Sequence, residues 1–512
     1  MNAAVTLADL VREGVAGRVL GEPRTALTGV HHDSREVCPG DLFVAIPGRA
    51  SDGARFVRDA LARGAVAVLT QEALADVPVP QLVVADARRA LGLAASVVYR
   101  HPTFALDVVG ITGTNGKTTT AYLVEQALAA SPSAKPAVLG TVEMRGPGFS
   151  RSTQHTTPEG DEIARFAREV LDLGATHLVM EVSSHALAQH RVDAVRFRVA
   201  AFTNLTQDHL DFHETMASYA DAKDRLFLEL GPGASVVNVD DPHGAALASK
   251  LHGRNLWRCS RRAEADAEVR ALRWSMDASG LVAEVATPRG EVTLRSPLLG
   301  AHNVENLLVA LACGLALGLE LHALAAALSV APGAPGRLER VEDPRGVAVL
   351  VDYAHTPDAL ERVLAALRPV TPGRLLCVFG CGGDRDRGKR PLMGEAAGRG
   401  ADVALVTSDN PRTEEPAAIL AEIAPGVVRS GQPLVDVAAL ADCARGYALL
   451  VDRRQAIRAA IAAAHAGDTV LIAGKGHEDY QILGTTKHPF DDRLIAREAI
   501  AAASSAACER DA

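Results

Sequence analysis

A parallel α/β architecture in more than one domain is what this chain of 512 residues predicts, and three observations predict it. Short apolar runs alternate with segments of helical period, the pattern of parallel sheets covered by helices on both faces. One such run, Val108-Val109-Gly110-Ile111, leads into Gly113-Thr114-Asn115-Gly116-Lys117-Thr118-Thr119 and then into a helical-period segment marked by Leu123, Val124, Ala127 and Leu128. That is the strand, turn and helix context of a phosphate-binding loop. The chain is also too long for one core. Its punctuation, charged at Tyr99-Arg100-His101-Pro102 and rich in Gly and Pro at 331–336, divides it into segments 1–105, 106–335 and 336–512.

The elements follow in order. In the first segment, runs at 42–46, 65–69 and 81–84 read as short strands, with a helix after Asp86. In the second, strands are expected at 108–111, 177–182, 198–203 and 235–239. In the third they are expected at 347–351, 375–379, 403–406 and 469–472, and Leu360, Val363, Leu364 and Leu367 mark one face of a helix after the first of them. The Ala-rich last dozen residues predict a frayed helix end or tail.

Composition limits the function classes. Hydrophobic residues make up 48% and charged residues 22% of the chain, ordinary for a globular protein, and no apolar run is long enough to span a bilayer. The N-terminus carries Asp9 and Glu13 and lacks the basic start and apolar core of a signal peptide, so a cytoplasmic protein is expected. Seven cysteines without paired spacing predict reduced thiols rather than a disulfide framework. The net charge of −9 argues against a nucleic-acid or anionic-membrane surface, so an anionic substrate must be met by local basic groups.

The loop at 113–119 carries the sharpest chemistry. Gly113 and Gly116 let backbone N–H groups close around phosphate oxygens, Lys117 supplies a point charge to the terminal phosphates, and Thr118 offers a hydroxyl to Mg²⁺. The loop is a variant: Ile111 stands where the usual first glycine would be. Polar clusters follow other strands too: Glu181-Val182-Ser183-Ser184-His185, then Thr203-Asn204 with Asp208, His209, Asp211 and His213, then Asp352-Tyr353 with His355. Further clusters are Gly380 to Arg387, Ser408-Asp409-Asn410-Pro411-Arg412 and Gly474-Lys475-Gly476-His477-Glu478. Open α/β sheets bind ligands at such strand ends, so these clusters predict a composite site.

Taken singly, the same residues have plainer readings. Glu181 could be a surface acid, and His209 with His213 at i and i+4 could be zinc ligands, although the neighbouring acids and the phosphate loop favour Mg²⁺. Lys223 reads locally as a solvated helix charge paired with Asp221 or Asp224. Gly380 to Gly383 fails as a dinucleotide fingerprint because the third glycine falls on Arg385.

The 113–119 loop, Met180-Glu181-Val182-Ser183-Ser184-His185, Thr203-Asn204-Leu205 with Asp208-His209-Leu210-Asp211, Tyr219 to Phe227, Gly300-Ala301-His302-Asn303-Val304-Glu305-Asn306 and Asp352-Tyr353-Ala354-His355-Thr356-Pro357 stand in this order along the chain. Together they resemble the Mur ligases of peptidoglycan synthesis. Asp33-Ser34-Arg35, Gly40-Asp41-Leu42-Phe43 and Asp409-Asn410-Pro411-Arg412 resemble the diaminopimelate-adding branch. The resemblance runs from about Asp33 to about Asp492. It implies an N-terminal domain for the uridine end (1–105), a central ATP-binding P-loop-type domain (106–335) and a C-terminal Rossmann-like domain for the amino acid (336–512). The implied substrates are UDP-N-acetylmuramoyl-L-alanyl-D-glutamate and meso-2,6-diaminopimelate, with ATP and Mg²⁺. ATP would phosphorylate the D-glutamyl carboxylate, and the amine would then displace phosphate. A monomer is expected, with neither nucleic acid nor membrane as partner.

Carried over residue by residue, the resemblance assigns Gly113, Thr114, Asn115, Gly116, Lys117, Thr118 and Thr119 to ATP phosphates, and Thr118 and Glu181 to Mg²⁺. His209 would help place a second metal, and Lys223 matches a lysine that becomes N6-carboxylysine, whose carbamate oxygens can ligate where an ammonium would repel. His302, Asn303 and Asn306 match the adenine-side motif, with Arg337 and Asp352 as C-terminal nucleotide contacts. Ser34, Arg49, Ala50, Ser51, Thr156, Thr157, Ser183, Gln189 and Arg191 match positions holding the muramoyl dipeptide, and His155 stands where the family pattern has Asn. Diaminopimelate differs from lysine by a distal carboxylate, so Arg412 and Arg385 fit that carboxylate and Glu478 its neighbouring ammonium, within the set Asp409, Asn410, Pro411, Arg412, Gly474 and Glu478. A lysine-adding relative, a folylpolyglutamate synthase and a regulatory phosphate-loop switch are the alternatives.

Overall fold

Each apolar run that reads as a strand folds as one, its ends shifted by a residue or two. The computed structural model describes residues 4–48, 52–153, 155–277 and 279–510. Arg49, Ala50 and Ser51, three of the expected substrate contacts, lie outside the described residues. The chain forms two compact units: Met1–Arg273 with Glu284–Thr293 and Glu305–Leu328, and Trp274–Ala283 with Leu294–Val304 and Ser329–Ala512.

The first unit begins with a five-stranded sheet in the spatial order Gly17–Leu20, Gln81–Val84, Ala67–Thr70, Leu42–Val44, Val30–His31. Only the first pair is antiparallel. The helix Ala87–Val98 starts where the sequence places it, because the Asp86 carboxylate accepts from the N–H groups of Arg88 and Arg89. That helix buries Leu91, Ala94 and Ala95 against Leu42, Leu69 and Leu82.

A second sheet carries six parallel strands in the order Pro136–Leu139, His177–Glu181, Asp107–Thr112, Phe197–Phe202, Ala234–Asn238, Leu256–Ser260. Strand Asp107–Thr112 is flanked on both sides and buried over its last five residues. Its apolar run is therefore continuous rather than alternating. One edge adds the antiparallel hairpin Glu143–Gly146 with Phe149–Ser152. The other adds Val269–Asp277, a seventh strand that also pairs parallel, and then Gly280–Thr287 and Gly290–Ser296. None of these edge strands was expected from the sequence.

The second unit is built on a sheet in the order Glu339–Val341, Ala348–Asp352, Thr469–Ala473, Leu375–Phe379, Val403–Thr407, Gly446–Leu450, antiparallel only at its first pair. The helix Pro357–Leu367 buries Leu360, Leu364 and Leu367, as its spacing predicts. The chain ends in one long helix, Asp492–Arg510. Arg453 and Asp492 form a fully buried pair, with Nε to Oδ1 at 2.9 Å and an Nη to Oδ2 at 2.7 Å, and the same Nη donates to the carbonyl of Ala473 at 2.9 Å. Removing one partner strands a desolvated charge. Asp492→Ala is therefore expected to destabilise this unit by about 3–5 kcal/mol, measured as a shift in its urea unfolding transition. Among the described residues no helix is long and apolar enough to cross a membrane.

Candidate active site

The phosphate loop leaves the central strand and enters helix Lys117–Leu128 through Gly116, whose φ of 85° lies in the left-handed region. A Cβ on Gly113 would lie 1.9 Å from Thr203 Oγ1, and one on Gly116 would lie 2.6 Å from Asn306 Oδ1, so both positions require glycine. The neighbouring strand end braces the loop. Asn115 N–H donates to Asn204 Oδ1 at 2.9 Å, Asn204 Nδ2 donates back to the Asn115 carbonyl at 3.1 Å, and Thr203 Oγ1 donates to the same carbonyl at 2.6 Å. Lys117 Nζ donates to the carbonyls of Gly113 and Thr114 at 2.8 and 2.9 Å, which holds its charge over the loop. Thr119 is buried in the first turn of the helix, and Thr120 Oγ1 reaches Asn306 Oδ1 at 3.2 Å.

Glu181, at the end of the next parallel strand, is 1% exposed. Its Oε2 accepts from Thr118 Oγ1 at 2.9 Å, and Thr141 supplies its N–H to Oε1 at 2.8 Å and its hydroxyl to Oε2 at 3.1 Å. Among the described residues no ion pair neutralises this buried carboxylate. Hard oxygen donors beside a phosphate loop fit a magnesium ion. Thr141 also meets Thr156, hydroxyl to hydroxyl, at 3.0 Å. The sequence reading missed it because the four-residue strand before it, Pro136–Leu139, opens on proline.

Thr157 is buried, donates to the Glu181 carbonyl at 2.8 Å and accepts from Ser183 N–H at 3.0 Å. Ser183 caps the short helix Ser184–Ala188. Arg191 donates to the Thr157 carbonyl at 2.8 Å and to Gln189 Oε1 at 2.7 Å, so the expected dipeptide contacts Thr156, Thr157, Ser183, Gln189 and Arg191 cluster beside Glu181. His155 is exposed in the bend before them. Ser34 is buried in the first sheet's loop, and the preceding His32 binds the carboxylate of Asp161 through Nδ1 at 2.9 Å and its own N–H at 3.1 Å. Burial works against charging His32, but the hydrogen bond and charge of Asp161 prevail and raise its pKa to about 9.

A ring cluster closes the other side of the loop. His185 lies 4.8 Å from His209 and 5.5 Å from His213, centroid to centroid, and Tyr219 joins Thr114 Oγ1 through its hydroxyl at 3.1 Å. All three imidazoles are held below their ordinary pKa, first by burial; His185 falls to about 4 with the help of the other two. His213 Nε2 is committed to Ser184 Oγ at 2.9 Å, whereas the His209 side chain is nearly half exposed. Lys223 overturns its plain local reading as a solvated charge. It is 1% exposed, its amine sits 4.4 Å from the Tyr219 ring centroid, and Asp224 pairs instead with His243 and Lys250. Burial, reinforced by Lys117, depresses the Lys223 pKa well below that of an ordinary lysine.

In the second unit, Asn303 is buried with Nδ2 on the Leu299 carbonyl at 2.7 Å, while His302 is exposed beside it. Asp352 accepts from the N–H groups of Leu338 and Ala354, both at 2.8 Å, and its pKa is raised by burial against the pull of Arg337, which stacks 4.6 Å over Tyr353. The seam expected to read the amino acid is tightly joined. Arg412, at φ 52°, donates to the carbonyl of Gly383 at 2.8 Å. Asn410 Nδ2 donates to Glu478 Oε2 at 3.0 Å, and Gln481 Nε2 to the Asp409 carbonyl at 2.7 Å. Arg385 is exposed, and its Cγ and an Arg412 Nη both lie within 4 Å of where a Cβ on Gly382 would project. Gly474, at φ 118°, donates its N–H to the Asp352 carbonyl at 3.0 Å. A Cβ on Gly383 would lie 1.8 Å from the Pro411 carbonyl oxygen, so the two loops meet main chain to main chain. Lys475, which the sequence reading quoted without a role, lies fully buried at the centre of this seam.

The Mur ligase family catalytic domain profile matches residues 26–99, the Mur ligase middle domain 111–314, and the Mur ligase glutamate ligase domain 336–476. A UDP-N-acetylmuramoyl-L-alanyl-D-glutamate--2,6-diaminopimelate ligase of Geobacter sulfurreducens is 48% identical over 506 residues, covering 97% of this chain and 98% of the relative. One of the same name from Gloeobacter violaceus is 47% identical over 495 residues, covering 96% and 97%. A solved structure bearing that enzyme name superposes with a TM-score of 0.71 at 34% identity, covering 98% of this chain and 99% of the other. A folylpolyglutamate synthase of Mycobacterium tuberculosis, at 19% identity, a TM-score of 0.57 and 75% coverage of this chain against 91% of its own, shares the fold. With near-full-length identity of this order, and profiles matching from residue 26 to residue 476, the chain belongs to the Mur ligase family.

Proposed function

We propose that this chain is an ATP- and Mg²⁺-dependent amide ligase that joins meso-2,6-diaminopimelate to UDP-N-acetylmuramoyl-L-alanyl-D-glutamate in cytoplasmic peptidoglycan precursor synthesis, acting as a monomer. The observation that carries the reading is the buried Glu181 carboxylate, without an ion-pair partner among the described residues and hydrogen-bonded to Thr118 at the mouth of the phosphate loop. The near-full-length similarity to relatives of that name supports the choice of substrates. Segments 1–105, 106–335 and 336–512 are the uridine, ATP and amino-acid domains of this reading.

A carboxylate is a poor electrophile, so the D-glutamyl carboxylate is first phosphorylated, and ADP leaves. The amine of diaminopimelate then attacks the acyl carbon, and phosphate leaves as the amide forms. Lys117 places positive charge where the phosphoryl group crosses, and the backbone N–H groups of 113–119 orient it. Thr118 and Glu181, with His209 and a carbamylated Lys223, would hold Mg²⁺, which supplies charge neutralisation for phosphoryl transfer. The depressed pKa of Lys223, caused first by burial and then by Lys117, favours the neutral amine over the ammonium, and it is the neutral amine that adds carbon dioxide. Arg191 and Gln189 meet the dipeptide beside Glu181, while Arg412 and Glu478 meet the two ends of the distal amino-acid group.

The test is ADP release with the UDP-linked dipeptide and a panel of amino acids. Diaminopimelate is expected to be turned over far better than lysine, and turnover without any amino-acid dependence would sink the reading in favour of a nucleotide switch. Arg412→Ala removes the cation facing the distal carboxylate. It is expected to raise the KM for diaminopimelate by about 10²-fold, leave the KM for ATP within about twofold, and raise the lysine-to-diaminopimelate activity ratio. An unchanged KM and ratio would make Asp409 to Arg412 a structural turn.

A further inference from the structure

A buried lysine is rare unless its charge is answered. Lys475 is 0% exposed, and its Nζ reaches Asn410 Oδ1 at 3.0 Å, Asp409 Oδ1 at 3.4 Å and Glu478 Oε2 at 3.4 Å. These contacts fix more than a charge balance. An amide oxygen only accepts and an amide nitrogen only donates. Because Asn410 Oδ1 takes hydrogen bonds from Lys475 Nζ and from the N–H of Ile482 at 3.0 Å, Asn410 Nδ2 is turned toward Glu478 and donates to Oε2 at 3.0 Å. Glu478 Oε2 thereby carries both side-chain hydrogen bonds of that carboxylate among the described residues, one of them from a cation. Oε1 stays available.

We infer that Lys475 is a positioning residue for amino-acid choice: it sets the orientation of the Asn410 amide and pins one oxygen of Glu478, so that the other faces the distal ammonium group of the incoming amino acid. The inference rests on the amide-ligase reading and adds to it the device that aims its recognition carboxylate. Lys475 itself touches no substrate. Without it, Asn410 Oδ1 keeps only the Ile482 N–H and Glu478 Oε2 keeps only the neutral Asn410 donor, so the carboxylate is less firmly pinned while the phosphate loop keeps its own contacts.

Two variants test this against a merely structural role. Lys475→Met keeps an unbranched chain, one atom shorter, and removes the charge. It is expected to raise the KM for diaminopimelate at least about tenfold, with the KM values for ATP and the UDP-linked dipeptide within about twofold of the parent. Asn410→Asp keeps an acceptor for Lys475, and so keeps the buried cation paired, but replaces the donor facing Glu478 Oε2 with an acceptor. Its KM for diaminopimelate is expected to rise about tenfold at pH 8 and to recover as the pH is lowered and a proton is shared between the two carboxylates, a dependence the parent lacks. If the parent releases no ADP with diaminopimelate, the amide-ligase reading fails and the inference with it. If the parent is active, an unchanged KM in a folded Lys475→Met, or a KM in Asn410→Asp that is normal or raised without pH dependence, overturns the inference alone. Should Lys475→Met fail to fold, the pH profile of Asn410→Asp decides.

Discussion

Lys117→Ala is expected to lower amino-acid-dependent ADP release by about 10²-fold or more, because it removes the charge closest to the phosphoryl group in flight. The resting structure makes the loss specific. The ammonium is held by two carbonyls of its own loop, at 2.8 and 2.9 Å, and is thus fixed over the loop before substrate arrives. Gly113 and Thr114 are buried but Lys117 is only half-buried, so water can reach the two carbonyls in place of the ammonium, and the variant is expected to melt close to the parent. Lys117→Arg is expected to recover little, since a planar fork cannot occupy the seat of a compact ammonium. Steady-state ADP release with diaminopimelate, alongside thermal melting, measures both. Near-parent turnover by folded Lys117→Ala would remove the loop from the chemistry.

Lys223→Met is expected to lose activity by a similar factor, about 10²-fold or more, while holding or gaining stability. The reasoning combines burial with charge. An amine 1% exposed, with its pKa depressed by burial and by Lys117, is costly to charge, and an unbranched apolar chain one atom shorter nearly fills its place. If the group instead works as a carbamate supplying oxygens to Mg²⁺, its removal is felt only in turnover. Short carboxylates added to Lys223→Ala are expected to restore part of the rate by standing in for those oxygens. Normal activity in either variant would leave Lys223 as a packing residue, and a rise in the KM for ATP alone would place it on the binding side.

Much of this arrangement was legible in the chain. Continuous apolar runs such as 375–379 mark strands covered on both faces, and the glycines of the phosphate loop announce where main chain must come close. Glu181 and Thr157 could be found because they directly follow or precede readable signals. Lys223 could not be read locally. Its neighbours Asp221 and Asp224 suggest a solvated face, and only the tertiary fold shows that Asp224 is taken by His243 and Lys250, nineteen and twenty-six positions away. Lys475 was hidden for a similar reason: two of its three partners, Asp409 and Asn410, come from a different strand end. The edge strands Val269–Asp277 and Gly280–Thr287 escaped because polar and charged residues, Arg273 and Glu284 among them, alternate with the buried ones, and a half-exposed strand lacks the unbroken apolar run that marks the others.

The meeting of Gly383 with the Pro411 carbonyl bears on how such an enzyme can change its diet. Because a Cβ at 383 would overlap the main chain opposite, the separation of the two loops cannot be tuned by substitution at that point. On the proposed reading, a lineage moving from one diamino acid to another would therefore exchange side chains, at Arg412, Asn410 or Glu478, over a seam fixed at that point, and such shifts should come in discrete steps of charge and hydrogen-bond polarity rather than as gradual widening of a pocket.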